Sequence, residues 1–151
     1  MSTKKWGPPV WTLLHTLAEK INPDKFAEIG PQLFVIIKRI CGALPCPDCA
    51  QHASQFLARI NFSGIKNKTD LKNMLYIFHN VVNTRLKKPL YNVSNLSVYA
   101  NNNIIQVFNN FAEVYHTKGN MVLLADSFQR KLIMADFKKW LVVNLGSFLF
   151  T

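Results

Sequence analysis

Along most of this chain, apolar residues recur every three or four positions, the spacing that gives a helix one apolar face. Four segments with this pattern are joined by short links, and Thr69 is well placed to cap the last of them. Pro31 lies inside the second segment and is expected to kink or split it. The predicted helices are one opened by Trp6-Gly-Pro-Pro, one capped by Asn22-Pro23, one from Ala50 to about Ile60 and one from Asp70 to about Leu86.

The last third of the chain has the same character. Two further helices are predicted, over about Asn103–Thr117 and Phe128–Leu145. Only Val93–Tyr99 shows a trace of the alternation typical of a strand, and its Asn and Ser residues weaken that interpretation. The predicted fold class is all-α, a four-helix bundle with extra C-terminal helices. We expect residues 1–100 to form the bundle and residues 101–151 a helical extension, packed on the same domain or at a subunit interface.

Composition bounds the class of protein. A chain of 151 residues that is 49% hydrophobic can form one domain with a substantial core. The strongest apolar runs, Leu33–Ile37 and Leu141–Phe150, are too short to span a bilayer, and no secretory signal opens the chain. The net charge is +10, and Asp70 is the only acid between residues 50 and 100. A solvated basic face, nucleic-acid binding and a phosphate-bearing cofactor all fit this charge, although no nucleic-acid-binding signature accompanies it.

The clearest chemical motif is the pair Cys46-Pro-Asp-Cys49, at the start of the third predicted helix. Pro47 suits a first helical turn, and the unpaired N–H groups of such a turn favour a thiolate over a thiol. Two cysteines at this spacing can form a disulfide and be reduced again, so the motif indicates a redox site. Two other interpretations stay open at this point. The pair is structural and buried, or it is half of a zinc site with His52 and Cys41 nearby, although no second pair of ligands completes such a site.

A second signal lies in the first and fourth predicted helices. His79, Asn80 and Asn83 adjoin the apolar stripe of the fourth, although all three are poor helix formers in a helix interior. Trp11 and His15 stand one turn apart in the first helix, on a face that should meet the bundle. Flat rings with amide side chains suit a planar heterocycle, and the lysines after the fourth helix suit a pyrophosphate, so a dinucleotide fits. No Gly-x-Gly-x-x-Gly follows a strand, which excludes a Rossmann site.

Three motifs follow one another in the chain. They are Gly7-Pro-Pro-Val-Trp11-Thr-Leu-Leu-His15, Pro45-Cys-Pro-Asp-Cys49 and His79-Asn-Val-Val-Asn83-Thr-Arg-Leu-Lys-Lys88-Pro89. Over about residues 5–100 the sequence resembles the Erv/ALR family of FAD-linked sulfhydryl oxidases, most of all the compact members from large DNA viruses. The resemblance implies a four-helix bundle with a short fifth helix and non-covalent FAD. It also implies that two electrons pass from a dithiol to oxygen, which gives a disulfide and hydrogen peroxide.

The resemblance also implies roles for individual residues and no metal ligand. Cys49 is expected next to the flavin, and Cys46 is expected to be the sulfur that the substrate thiolate attacks. The implied FAD-binding residues are Gly7, Trp11, His15, Cys49, His79, Asn80, Val82, Asn83, Leu86, Lys88 and Tyr91.

Two features of many family members are missing from this sequence. Val93 stands where they have a cysteine of a structural disulfide, and no second cysteine pair is present to act as a shuttle. Cys41, the only other thiol, is expected in the core at the end of the second helix. Electrons should therefore enter at Cys46 directly from a protein dithiol, and a small thioredoxin-like carrier is the expected donor.

The expected partners are this protein dithiol, molecular oxygen and a second copy of the chain in a homodimer, with no nucleic acid and no membrane span. The expected location is cytoplasmic, in the host cytoplasm or the virus particle. The alternative function from another class is a non-enzymatic helical module that binds zinc or nucleic acid and uses the cysteines as ligands.

Overall fold

A computed structural model describes residues 3–115 and 124–150, with the backbone alone for residues 124–126. Six α-helices and four short 3-10 segments make up its regular structure, and the all-α fold class is confirmed. The α-helices are α1 (Thr3–Lys20), α2 (Phe26–Cys41), α3 (Pro47–Ala58), α4 (Lys68–Arg85), α5 (Ile104–Tyr115) and α6 (Leu124–Val143). The 3-10 segments are Pro23–Lys25, Phe62–Gly64, Val93–Asn101 and Leu145–Ser147.

Helix α1 is the central element of the fold. It packs against α4, α5 and the 3-10 segment Val93–Asn101, while α2 packs against α3 and α6. The side chains of Leu13 and Leu17 are completely buried, as is that of Phe111 in α5. The C-terminal helices therefore contribute to the same hydrophobic core as the first helices of the chain.

The end of the described chain is tied to the first loop. The backbone N–H of Leu149 donates to the carbonyl of Lys20 at 2.6 Å, and that of Asn22 donates to Ser147 at 2.8 Å. Phe148 is buried in the core between these two bonds. Residues 145–149 thus close over the turn that joins α1 to α2.

Two predicted helix starts differ from those observed. Helix α1 begins at Thr3, so Pro8 and Pro9 lie inside it although each removes a backbone donor. The buried Trp6, which packs into the hydrophobic core, holds this first part of the helix in place. Helix α4 is capped by Asn67 and not by Thr69, because the Asn67 side chain accepts the N–H of Asp70 at 2.8 Å.

The region around α2 corrects two further expectations. Asn22 does cap a helix, but that helix is the 3-10 turn Pro23–Lys25 and not α2 itself. Pro31 does not split α2, which continues from Phe26 to Cys41. The buried side chains on both sides of Pro31 keep the two parts of the helix in one core.

The trace of strand pattern at Val93–Tyr99 was misleading, because this segment is part of the 3-10 helix Val93–Asn101. The side chain of Asn92 accepts the N–H of Ser94 at 3.0 Å and so begins the turn. Asn and Ser side chains that bond to nearby backbone groups favour such turns over a ladder of strands.

Candidate functional site

The redox pair lies at the N-terminus of α3. Cys46 and Cys49 are joined by a disulfide, with their Cα atoms 5.2 Å apart. Cys46 is the N-cap residue and Pro47 occupies the first turn, as the sequence predicts. The Sγ atom of Cys46 accepts the backbone N–H of Cys49 at 3.2 Å. Partial positive charge at this helix end stabilises negative charge on that sulfur.

A cavity of about 440 Å³ separates α3 from α1 and α4. This volume lies within the range of roughly 300–1,000 Å³ that is usual for small-molecule and cofactor sites. Cys49 lines the cavity and Cys46 does not. Of the two cysteines in the disulfide, Cys49 therefore lies at the cavity and Cys46 lies outside it. The predicted site residues along the cavity wall are Gly7, Trp11, Cys49, His79, Val82, Asn83, Leu86, Lys88 and Tyr91.

A stack of rings forms one wall of the cavity. The rings of Trp11 and His79 are 4.0 Å apart between centroids and only 4° from parallel. Tyr91 stacks on the same imidazole, with 4.5 Å between centroids and 20° between planes. Three flat side chains from α1, α4 and the segment after α4 thus meet where a planar heterocycle could bind.

His15 does not line the cavity but supports this stack from behind. Its Nε2 atom lies 2.9 Å from Nδ1 of His79, in a buried hydrogen bond. Burial, and then the nearby His79, lowers the pKa of His15 to about 3. Burial, and then the charge of Lys88, lowers the pKa of His79 to about 4. Both imidazoles are therefore neutral at pH 7, which suits stacking and hydrogen bonding better than proton transfer.

Asn80 has a structural role in the site. Its Oδ1 accepts the backbone N–H of Tyr91 at 2.6 Å, and its Nδ2 donates to the Tyr91 carbonyl at 3.2 Å. Asn83 holds the same segment, because its Nδ2 donates to the carbonyl of Pro89 at 3.2 Å. The two amides that are unfavourable inside a helix thus fix the chain that returns over the cavity.

The turn that follows α4 contains a residue with a left-handed backbone conformation. Lys87 has φ of 58°, in the left-handed region that most often holds glycine after a helix. The N–H of Lys87 donates to the Thr84 carbonyl at 3.1 Å, and the N–H of Lys88 donates to the Asn83 carbonyl at 2.8 Å. These two bonds form a Schellman motif, which ends α4 and places Lys88 at the cavity.

Two buried donors and two cations bear on the fit of FAD to this cavity. Nε1 of Trp6 and Nε of Arg85 are buried without a hydrogen-bond partner, and both residues line the cavity. A buried donor without a partner is costly, so a bound acceptor would relieve both. Lys88 and Arg85 also supply positive charge, although Arg85 is shared with Asp48 at 3.1 Å. Flat neutral rings, free donors and cations suit the isoalloxazine and phosphates of FAD.

Several cavity residues were missed from the sequence. Arg85 lies three residues after Val82, and His52 lies three residues after Cys49. Residues at this spacing share one face of a helix, so the predicted site residues Val82 and Cys49 could have indicated both. Tyr99 gave none, because its segment was interpreted as a weak strand. The missed cavity residues with the largest side chains are Trp6, Leu14, Leu44, His52, Phe78, Arg85 and Tyr99.

Cys41 is a core residue at the end of α2, as predicted. Its side chain is 1% exposed, and burial raises the pKa of its thiol to about 12. It also lines the cavity wall, which the sequence did not indicate. A thiol with so high a pKa is almost entirely protonated at pH 7 and is a poor nucleophile.

The zinc alternative finds no support in this arrangement. Cys46 and Cys49 are bonded to each other, and His52 faces the carboxylate of Asp48 at 3.6 Å. Within residues 3–115 and 124–150, no group of three or more His, Cys, Asp or Glu side chains is placed to hold a metal ion.

None of the helices in that part of the chain is both long enough and apolar enough to cross a membrane.

Comparison with known proteins gives consistent results. The model of the Erv1 / Alr family matches residues 8–104. A protein of Invertebrate iridescent virus 3 is 31% identical over 87 residues, which cover 57% of this chain and 59% of that protein. A protein of Invertebrate iridescent virus 6 is 33% identical over 93 residues, covering 56% of this chain and 82% of that protein. One from African swine fever virus is 31% identical over 85 residues, covering 56% and 71%.

The fold and the site thus define a helical protein with a redox disulfide beside a cofactor-sized cavity. The chain belongs to the Erv1/Alr family, which confirms the resemblance found in the three motifs. All three viral relatives are named FAD-linked sulfhydryl oxidases, in agreement with the predicted enzyme class and cofactor. The match spans 59% of the first of them, and no solved structure matches the chain.

Proposed function

We propose that this protein is an FAD-dependent thiol oxidase that forms disulfides in protein dithiols and passes the electrons to oxygen, giving hydrogen peroxide. The observation that carries the proposal is the position of the redox pair. Cys49 lines a cavity walled by the Trp11–His79 stack, and its disulfide partner Cys46 lies outside that cavity. One end of the disulfide is thus at the cofactor site and the other is available to a substrate.

When bound, FAD would supply two-electron redox chemistry between the cysteine pair and oxygen. The residues of this chain that would hold it fall into two groups. Trp11, His79 and Tyr91 provide flat surfaces for stacking. Trp6 Nε1, Arg85 Nε and the ammonium group of Lys88 provide donors and positive charge.

The cysteines carry out the exchange with substrate. A substrate thiolate attacks Sγ of Cys46, the bond between Cys46 and Cys49 breaks, and Cys49 leaves as a thiolate beside the cavity. The second substrate thiolate then attacks the substrate sulfur of this mixed disulfide, and Cys46 leaves as a thiolate. The Cys49 N–H that bonds to Sγ of Cys46 stabilises that leaving thiolate. The substrate is oxidised, and the Cys46–Cys49 pair is left as a dithiol.

The electron donor and the location extend the proposal. Because Cys46 lies between two prolines in a short turn, a small carrier with an exposed Cys-x-x-Cys, thioredoxin-like in shape, fits it better than a bulky folded protein. Oxygen as the final acceptor allows such a relay to run in the host cytoplasm, apart from the glutathione pool. Proteins of a virus particle are the proposed final substrates.

The homodimer stays a prediction, and the structure limits the surfaces that it could use. Within this chain α5 packs against α1, and α6 packs against part of α2. Exposed apolar side chains lie on several faces, including Val35 of α2, Ile77 of α4 and Val142 of α6. A dimer would therefore use one of these faces.

The decisive test uses the purified protein with dithiothreitol. We expect a yellow protein whose flavin absorbance bleaches without air and returns when oxygen is admitted, with hydrogen peroxide formed in step. The matched control is Cys46→Ser, which should bind the same amount of flavin and bleach far more slowly. A colourless protein, or a yellow one whose flavin is never reduced by dithiol, would contradict the proposed function.

A further inference from the structure

A second cavity, of about 240 Å³, lies on the other side of α3. We call it the polar cleft, and it is lined by Gly42, Ala43, Leu44, Pro47, Ala50, Gln51, Ser54, Gln129 and Arg130. Along α3, Cys49, His52 and Ala53 line the first cavity, and Pro47, Ala50, Gln51 and Ser54 line the cleft. At about 3.6 residues per turn these two sets occupy opposite faces of one helix.

The redox disulfide lies between the two cavities. Cys46 is joined by its peptide bond to Pro47, which lines the cleft, and by the disulfide to Cys49, which lines the first cavity. Leu44 lines both cavities and completes the wall between them. A group bound in the cleft is therefore next to Cys46 and separated from the cofactor.

The far wall of the cleft comes from α6. Gln129 is exposed at its rim, whereas Arg130 is 3% exposed and its Nε donates to the carbonyl of Tyr115 at 3.1 Å. That bond fixes the guanidinium group of Arg130 against the end of α5. Both residues lie outside the matched region 8–104, so this wall belongs to the part of the chain that the family model does not cover.

The lining of the cleft indicates what would bind there. Ala43 and Ala50 give it a small apolar floor, and Gln51, Gln129 and Arg130 give it hydrogen-bonding walls. Backbone amides of an extended polypeptide match such walls, since amide side chains both donate and accept and the guanidinium group donates to carbonyls or carboxylates. A net charge of +10 on the chain further favours neutral or acidic sequences.

We infer that the polar cleft binds the polypeptide segment next to the substrate cysteine, and that Gln129 and Arg130 help to select that segment. This inference rests on the proposed thiol oxidase function and names the substrate surface that it uses. The segment in the cleft holds the substrate thiolate at Sγ of Cys46. The exchange then forms the substrate–Cys46 bond, breaks the Cys46–Cys49 bond and releases Cys49 as a thiolate.

The test compares two dithiols on the flavin-loaded protein: dithiothreitol, which is too small to need the cleft, and a fluorescent peptide with one Cys-x-x-Cys. Gln129→Trp and Gln51→Trp each fill the cleft from an exposed position on a different wall. Leu132→Trp, also exposed on α6 but not part of the cleft, is the matched control. We expect each cleft variant to lower kcat/KM for the peptide on the order of tenfold, with the value for dithiothreitol and the flavin content unchanged.

A second comparison tests Arg130. Peptides with Glu beside the first cysteine should react faster than those with Lys, and Arg130→Gln should reduce that difference. Equal losses with peptide and dithiothreitol, or no loss with either, would overturn the inference while leaving the oxidase intact. If the unaltered protein fails to oxidise dithiothreitol, the proposed function itself is wrong. Peptide binding measured by fluorescence anisotropy still tests the cleft, because an unchanged Kd in Gln129→Trp would overturn it.

Discussion

His15 and His79 share one hydrogen bond, with Nε2 of the first 2.9 Å from Nδ1 of the second, in the interior of the protein. The bond requires an unprotonated nitrogen on the accepting imidazole, so protonation of both rings removes the acceptor and breaks it. The pKa values of about 3 and about 4 agree with that geometry. Trp11 and Tyr91 stack on His79, so the pair fixes a large part of the cavity wall.

The first prediction concerns acid stability. The unfolded chain binds protons at these histidines near their usual pKa of 6.5, whereas the folded chain does so only near pH 4 and pH 3. The free energy of unfolding should therefore be highest above pH 6.5 and fall as the pH drops toward 4, by up to about 1.4 kcal/mol per pH unit for each histidine. Urea unfolding of the flavin-loaded protein at several pH values measures the slope. His15→Leu should be clearly less steep, and an identical slope would contradict the assignment.

The second prediction separates the three cysteines. Cys46→Ser and Cys49→Ser should each abolish dithiol oxidation and keep the flavin, because neither sulfur is needed to hold it. Cys41→Ala should keep most of the activity with dithiothreitol, because a buried thiol with a pKa of about 12 takes no part in exchange. Oxygen consumption and the flavin spectrum provide the two measurements. A folded, flavin-loaded Cys41→Ala protein without activity would show that Cys41 belongs to the mechanism.

The third prediction concerns the stacked wall. Trp11→Ala removes a ring that lies 4.0 Å from His79, and should raise the Kd of FAD at least roughly fivefold, corresponding to about 1 kcal/mol or more. His79→Ala should weaken binding in the same way and also lower the melting temperature, since bound flavin stabilises only the native state. Trp140→Ala is the control, because Trp140 lies in α6 away from the cavity. Unchanged flavin affinity in both cavity variants would remove the stack from the site.

The fourth prediction concerns the C-terminal extension. Phe111 of α5 is completely buried in the shared core, so Phe111→Ala should lower the free energy of unfolding by about 3–5 kcal/mol. Ile105→Ala, on the same helix but 46% exposed, is the matched control and should cost much less. Chemical denaturation of both variants gives the comparison. If the two losses were equal, or if a chain ending near Asn102 folded with full stability, the extension would be a separate unit.

The sequence predicted the helices and the redox pair because each depends on local patterns. Apolar spacing marks α2 and α4, and the Cys-Pro-Asp-Cys motif carries its own helix start. The three motifs also identified Trp11 and His79 as members of one site, which the structure brings to 4.0 Å between ring centroids.

What the sequence did not show depends on contacts between distant residues. Asn80 is predicted to bind the cofactor, and the structure shows that its side chain bonds to the backbone of Tyr91. Only the return of the chain after Lys87 makes that contact. His15 likewise contacts His79 and not the cavity. The polar cleft needs α6 to lie against the start of α3, which no local pattern in residues 101–151 could indicate.

The burial of α1 against α5 has a consequence for how the protein is made. Helix α1 is synthesised about ninety residues before α5, and Leu149, whose N–H bonds to the Lys20 carbonyl, comes later still. The part of the α1 surface that α5 covers therefore stays exposed until α5 has been synthesised. The residues that line the cavity with Trp11 all precede α5, but the core on which α1 rests includes α5, so stable cofactor loading should follow the synthesis of α5.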